Sequence, residues 1–536
     1  MQVNKLIIER GNKRILNNIS FSLNSEDKVG LVGINGCGKS TLLKSLSGNL
    51  KLTEGTIKYN DETIGYLEQE IPIKYYENSV IEYIKEKTNF KNLEQKLHEL
   101  ENDLNESNMD LYGDVLNEFL AIDGYNFESH LNEILNGLNF KESIDKKVCE
   151  LSGGEKIKVL LAILLLQNKD ILLLDEPTNN LDIEAIEWLE NYLKRENKKM
   201  IIVSHDEVFL DKIVNKIFEI KNGELKEYNV PYRDYLKMKE LEYKKLKDEY
   251  ENAQMEKEKL KNKLATAIAW SEKGNNKKAH NDNDKLANNY AKEKTNNSNV
   301  SKISKALDKV EVPIFKEKED IKIFFNVKET KGNKDIVLSD LICGYNNFQT
   351  DLINLNIKFG LKVQISGSNG SGKTTLINTI MGKLSPKSGN IYIGNDAKIG
   401  YISQDTLSMD CEETIYEYIT NGMKEVNQSL IFTLLNKLGI SYEDKNKKYS
   451  TLSPGERTRV NIAKLAMNKI NILILDEVTN HLDSDALNLI YELVESFDGT
   501  IISISHNRKY NEILNADIIL NLEDIKNNKQ LIIKKN

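Results

Sequence analysis

The chain has 536 residues, 40% of them hydrophobic and 29% charged, with a formal net charge of −8. That composition belongs to a soluble globular protein with room for two domains of ordinary size and something more, and it excludes a generally basic nucleic-acid binder while allowing a local basic element. The longest apolar run, VLLAILLL at 159–166, is too short for a membrane helix, and four dispersed cysteines (Cys37, Cys149, Cys343, Cys411) without a CxxC pair exclude a local zinc or iron–sulfur motif.

The N-terminus, MQVNKLIIERGNKR, has no apolar core of the signal-peptide kind, so a cytoplasmic location is expected. A strand-like run, KVGLV, leads into GINGCGKST at 33–41, which fits the pattern GxxxxGK[ST]. Gly33, Gly36 and Gly38, with Asn35 between them, let the backbone turn tightly so that its N–H groups face phosphate. Lys39 then reaches the β- and γ-phosphates, Ser40 ligates Mg²⁺, and Thr41 completes the segment. IGYLEQ at 64–69 ends on Gln69, placed to complete the Mg²⁺ and water shell. The stretch NLEQKLHELENDLNES at 92–107 carries leucines at 93, 97, 100 and 104, the stripe of a helix. It predicts a short pair of helices projecting from the first domain, within about 85–125.

LSGGE follows at 151–155 (Leu151, Ser152, Gly153, Gly154, Glu155). ILLLD at 171–175 reads as a buried parallel strand ending in a carboxylate. Asp175 would hold Mg²⁺ through water, and Glu176 is placed to polarise the attacking water. His205 ends the next apolar strand, IIVS, and reads as a sensor of the γ-phosphate.

From residue 233 the pattern changes. Leu236, Tyr243, Leu246, Tyr250, Ala253, Leu260, Leu264 and Ala267 recur at spacings of three and four, with charges between them, which predicts a long half-exposed helix over 233–269, about 55 Å at 1.5 Å per residue. Gly274, Asn275 and Asn276 are expected to break it. A second stripe, Leu286, Tyr290, Val300, Ile303, Leu307 and Val310, returns toward Pro313. Residues 232–331 hold 24 Lys/Arg and 18 Asp/Glu, a local excess of positive charge in an acidic chain.

The motifs then repeat. GSNGSGKTT at 367–375 supplies Gly367, Asn369, Gly370, Gly372, Lys373, Thr374 (a second Mg²⁺ ligand) and Thr375. IGYISQ supplies Gln404, LSPGE supplies Ser453, Gly455 and Glu456, ILILDE supplies Asp476 and Glu477, and ISISHN supplies His506. The first copy has 34 more residues between Gln69 and Ser152 than the second has between Gln404 and Ser453, which is where the leucine-striped helices fall. A lone histidine is usually structural. Two of the chain's six, at matching places, read better as functional.

This set of phosphate loop, glutamine loop, LSGGE signature, aspartate–glutamate strand and switch histidine resembles the ATP-binding-cassette ATPases, and the resemblance covers both halves. It implies an α/β fold of two P-loop ATPase domains, ATP and Mg²⁺ as cofactors, and a monomer whose cassettes close head to tail. One site would pair Lys39, Asp175, Glu176 and His205 with Ser453 and Gly455; the other would pair Lys373, Asp476, Glu477 and His506 with Ser152 and Gly154. The family's adenine-stacking position holds Tyr345 in copy two and Arg10 in copy one. Three positions depart from the family pattern: Pro454 for a signature glycine, Val478 for the proline after the glutamate, and Asn507 for the aspartate after the histidine. Pro454 removes one backbone N–H.

Two cassettes joined by a long helical segment resemble the ABC-F family. That likeness implies a first cassette at 1–231, a helical hairpin linker at 232–320 with its tip at about 268–283, and a second cassette at 321–536. It further implies binding at the ribosomal tRNA exit site, with the tip reaching large-subunit rRNA and peptidyl-site tRNA. Trp270, Lys273, Lys277 and Lys278 would be its RNA-facing residues, Lys for phosphate and Trp for stacking or for bracing the hairpin. A short arm with a long linker is similar to the antibiotic-resistance branch. A housekeeping translation factor and the twin-cassette ATPase subunit of an importer are the alternatives. The iron–sulfur recycling type is excluded by the missing cysteine cluster.

Overall fold

The computed structural model describes residues 1–536 other than 12, 104, 106–107, 276–299, 309, 311, 314–331, 346–347, 369, 404–410, 424–425, 480–481, 483, 524–531 and 534–536. In the first half, β1 (Gln2–Arg10) pairs antiparallel with β2 (Lys13–Ser22) and with β4 (Glu54–Lys58) in a small sheet. A second sheet has the order β5 (Ile64–Tyr66), β6 (Ile171–Asp175), β7 (Lys199–Val203), β3 (Lys28–Val32), β8 (Lys216–Lys221) and β9 (Glu224–Tyr228). Its pairings are parallel except for the last. Every residue of ILLLD is buried, as a parallel strand covered on both faces requires. One face packs Leu31, Leu173 and Ile201 against Leu42, Leu43 and Leu46 of α1 (Lys39–Leu46) and against the small sheet.

Helices α2 (Val80–Lys87), α3 (Phe90–Asn102), α4 (Met109–Ala121), α5 (Phe127–Gly137) and α6 (Gly153–Leu166) precede β6. α3 and α4, 13 residues each, bury Phe90, Leu93 and Leu97 with Val115 and Phe119, and Phe90 stacks on Phe127 at 4.1 Å. α7 (Ile183–Arg195) and α8 (Glu207–Ile213) lie between the last strands.

The second half repeats the plan. β10 (Ile336–Ile342) pairs with β13 (Ile353–Ile357) and β15 (Ser388–Ile393), and β11 (Gly344–Tyr345) pairs with β12 (Phe348–Gln349). The larger sheet runs β16 (Ile399–Ser403), β17 (Ile472–Asp476), β18 (Thr500–Ile504), β14 (Lys362–Ser366), β19 (Ile518–Asn521) and β20 (Ile532–Ile533). Its helices in chain order are α10 (Lys373–Ile380), α11 (Ile415–Thr420), α12 (Gln428–Lys437), α13 (Pro454–Met467), α14 (Ser484–Ser496) and α15 (Arg508–Leu514). Val478, at a proline's place, is buried in this core. The chain is thus an α/β protein with two P-loop domains.

Residues 233–320 separate as a unit of their own, while both halves of the repeat fall in the other. The linker helix, α9 (Tyr232–Asn275), has 44 residues and so runs about 66 Å. Its described part ends at Asn275, inside the stretch Gly274–Asn276 where the sequence predicts a break. Trp270 and Lys273 lie in its last turns; Lys277, Lys278 and the stripe positions Leu286 and Tyr290 fall outside the described residues. Residues 300–307 are again helical.

The two halves of the repeat meet through charge. Arg508 bonds the carboxylate of Glu190 through both terminal nitrogens and lies 3.6 Å from Asp206, and Lys509 donates to both Glu207 oxygens at 2.9 Å. Glu190 is only 5% exposed and also accepts from Lys212 at 2.7 Å. Two cations at the start of a helix oppose its dipole, so α15 begins this way against its own local preference; the three carboxylates opposite outweigh that. Lys141 and Glu523 form a further tie at 3.1 Å.

Candidate nucleotide sites

Each phosphate loop is the turn between a central strand and a helix. Gly33, Gly36 and Gly38 have φ of 154°, 79° and 109°, and Gly367, Gly370 and Gly372 repeat this with 142°, 80° and 98°. A Cβ on Gly33 would stand 2.6 Å from the Ile220 carbonyl, so only glycine fits there. Helices α1 and α10 start on Gly38 and Gly372 without a side-chain cap, which leaves their first N–H groups for an anion. Lys39 Nζ donates to the Gly33 carbonyl at 2.7 Å and lies 3.5 Å from Asn35 Oδ1; Lys373 Nζ donates to Gly367 and Ser368 carbonyls at 2.9 and 3.0 Å. Both lysines are buried, and burial pulls the Lys373 ammonium down from its ordinary range.

The cleft of about 340 Å³ around Lys39 is lined by Arg10, Ile15, Asn35, Gly36, Gly38, Ser40, Thr41, Gln69, Asp175, Glu176 and His205. Asp175 Oδ2 accepts from Gln69 Nε2 at 3.2 Å. Burial raises the Asp175 carboxyl, against opposing help from Ser40. Glu176 Oε1 faces His205 Nε2 at 3.3 Å. The cleft of about 490 Å³ around Lys373 is lined by Tyr345, Phe348, Gly370, Gly372, Thr374, Thr375, Glu477 and His506, together with Ser152, Gly154, Thr178, Asn180 and Leu181 of the first cassette. There Asp476 accepts from Thr374 Oγ1 at 3.5 Å and from the Tyr401 hydroxyl at 3.3 Å, and burial, then the charge of Glu477, pushes its carboxyl up to about 6. His506 Nε2 is buried without a hydrogen-bond partner. Burial, then the Lys373 charge, pushes this imidazole down to about 4.

Glu176 and Glu477 share a rarer feature. Both have positive φ, 53° and 51°, and both donate their N–H to the end of the next strand, Val203 and Ile504. A non-glycine residue held so in both copies is strained locally and aimed by its surroundings. Beside them Thr178 meets Ser204, and Thr479 meets Ser505, each at 3.1 Å. Sequence reasoning missed these hydroxyl pairs, although the repeated T-N and S-H spacings carry them.

The signature glutamates have a structural reason. Ser152 caps α6 by accepting from the Glu155 N–H at 3.3 Å, while Glu155 accepts from the Ser152 N–H at 2.7 Å. Ser453 and Glu456 form the same reciprocal cap on α13 at 3.3 and 2.8 Å. Gly153 opens α6, and a Cβ there would meet nothing.

The structure therefore brings Ser152 and Gly154 to the Lys373 cleft. It does not bring Ser453, Gly455 or Glu456 to the Lys39 cleft, whose described lining comes from the first cassette alone. The Lys141–Glu523 tie holds the cassettes on the Lys373 side, Glu523 also bonding Ser368 of that phosphate loop. Asn369 and Gln404 lie outside the described residues.

Burial of a carboxylate beside a hydroxyl, with oxygen donors throughout, suits Mg²⁺. Tyr345 and Phe348, paired across β11 and β12, both line the Lys373 cleft and offer a base aromatic surface; Arg10 and Ile15 line the Lys39 cleft. Among the described residues no helix is long and apolar enough to cross a membrane.

A family model described as "ABC transporter" matches residues 16–179 and 350–480. An uncharacterized ABC transporter ATP-binding protein of Bacillus subtilis, YfmM, is 32% identical over 92% of this chain and 93% of its own length. ABC transporter F family member 5 of Arabidopsis thaliana is 28% identical over 95% of this chain and 73% of its own. Among solved structures, the complex of an archaeal ribosome recycling factor with the stalk protein aP1 aligns with a TM-score of 0.59 at 20% identity, covering 96% of this chain and 87% of that one.

Proposed function

Because the chain belongs to the ATP-binding cassette family, as a twin-cassette ATPase of the ABC-F type that uses ATP with Mg²⁺, we propose that it binds the ribosome at the tRNA exit site and protects it from antibiotics of the peptidyl-transferase centre: lincosamides, streptogramin A and pleuromutilins. The observation that carries this reading is the 44-residue helix that begins where the first cassette ends. An importer subunit has no use for such an element. An RNA-binding factor does, with Trp270, Lys273, Lys277 and Lys278 near its tip to meet large-subunit rRNA and peptidyl-site tRNA. The protein would work in the cytoplasm as a monomer.

In this reading Lys39 and Lys373 hold the β- and γ-phosphates, and Glu176 and Glu477 orient and polarise the attacking water. His205 and His506 contact the γ-phosphate. Ser40 with Asp175 and Gln69, and Thr374 with Asp476 and Gln404, would hold Mg²⁺, which when bound offsets phosphate charge during transfer. The signature serines and glycines close each site from the opposite cassette: Ser152 and Gly154 onto Lys373, Ser453 and Gly455 onto Lys39.

A housekeeping factor acting on stalled ribosomes is the second reading. What favours it is the similarity to an Arabidopsis protein over nearly the whole chain, which ties this architecture to organisms other than drug-challenged bacteria. One experiment separates the readings. Glu176→Gln with Glu477→Gln should hydrolyse ATP at least a hundredfold more slowly and co-sediment with ribosomes in ATP; the wild-type chain in a sensitive bacterium should raise the inhibitory concentration of those drugs. Ribosome binding without drug protection supports the housekeeping reading, and absence of ribosome binding rejects both.

A further inference from the structure

The strand that leads to each glutamine loop carries a tyrosine: Tyr66 in IGYLEQ and Tyr401 in IGYISQ. Tyr66 stands opposite Leu173 across β5 and β6, and Tyr401 opposite Ile474 across β16 and β17. Alternate residues of a strand share a face, so Leu173 and Asp175 point the same way, as do Ile474 and Asp476. Parallel pairing thus sets each tyrosine diagonally behind the aspartate at the strand's end. A phenol is long enough to span that diagonal.

The two copies show different hydrogen bonds at this place. In the second, the Tyr401 hydroxyl donates to Asp476 Oδ2 at 3.3 Å, with Thr374 Oγ1 on the other oxygen. In the first, Asp175 Oδ2 is taken by Gln69 Nε2 at 3.2 Å, and the Tyr66 hydroxyl is buried with no partner. A buried hydroxyl without a partner is costly, and one repeated in kind beside a buried carboxylate asks for a reason. A carboxylate oxygen has two lone pairs, so Oδ2 has room for a phenol as well as an amide.

We propose that Tyr66 and Tyr401 are positioning residues for the metal-binding aspartates, each phenol donating to the Oδ2 oxygen of its aspartate in the loaded site. The phenol then keeps the carboxylate turned so that its other oxygen faces the hydroxyl of Ser40 or Thr374 and the metal. Without it, the buried carboxylate loses one of the donors that fix its rotation. This rests on the assignment of Asp175 and Asp476 to Mg²⁺.

The test uses the full chain carrying Glu176→Gln and Glu477→Gln, so that binding is read without turnover. Affinity for a fluorescent ATP analogue is measured in Mg²⁺ and in EDTA, with Tyr66→Phe and Tyr401→Phe added together. The gain in affinity on adding Mg²⁺ should shrink roughly tenfold, the scale of one hydrogen bond to a charged group. Affinity in EDTA and the melting temperature should stay at parental values. An unchanged Mg²⁺ gain overturns the proposal, and so does an equal loss with and without metal, which marks a merely structural role. Asp175→Asn with Asp476→Asn is the control. If those variants keep the Mg²⁺ gain, the metal assignment itself is wrong; if they lose it while the phenylalanine variants keep it, only the tyrosine inference fails.

Discussion

Replacing Arg508 with methionine should loosen the junction between the cassettes by a calculable amount. Arg508 and Glu190 are 14% and 5% exposed, so the variant leaves a buried carboxylate facing an apolar side chain. Breaking a buried pair outright costs about 3–5 kcal/mol. Glu190 keeps Lys212 at 2.7 Å, which offsets part of that and brings the expected loss to about 2 kcal/mol. Glu190→Gln leaves the guanidinium with Asp206 at 3.6 Å and should cost a similar amount. If the two act on each other, the double variant loses less than the sum, with a coupling of about 1.5 kcal/mol. The assay is equilibrium urea unfolding followed through Trp188, which lies on the same helix as Glu190, in a Trp270→Phe background that removes the second indole. Additive losses, with coupling below about 0.5 kcal/mol, would show that the bond joins nothing of consequence.

Two further outcomes follow from the sites. His506, held at about 4, stays neutral in the folded protein where an unfolded histidine protonates, so its contribution favours folding above pH 6.5 and is lost as pH falls toward 4, by about 3 kcal/mol in all. NMR of the imidazole should show the neutral form persisting to pH 5, and a midpoint near 6.5 would refute the burial argument. At the sites themselves, Glu477→Gln should cost more turnover than Glu176→Gln, because the Lys373 cleft already carries its opposing signature while the Lys39 cleft looks to a signature interrupted by Pro454; equal losses in steady-state ATPase would remove the asymmetry.

Much of the fold class was legible because its motifs are the turns between strands and helices, where few residue types work. GxxxxGK demands glycine at positive φ, and ILLLD demands burial on both faces; neither needs tertiary information to be recognised. The partners across the repeat were not legible. Arg508 and Glu190 are 318 positions apart, and nothing in NRKY announces which carboxylate it will meet. Ile15 and Phe348 escaped notice for another reason: an apolar residue on a strand reads as core, and only the fold shows that each lines a nucleotide cleft.

The opposite charges at matching places in the two copies decide which halves can face each other. After His205 the chain reads Asp206-Glu207; after His506 it reads Asn507-Arg508-Lys509. Two first halves placed face to face would set acid against acid, and two second halves base against base, each costing free energy that the mixed pair gains. These few residues make the two cassettes complementary moieties, each suited to the other and not to itself.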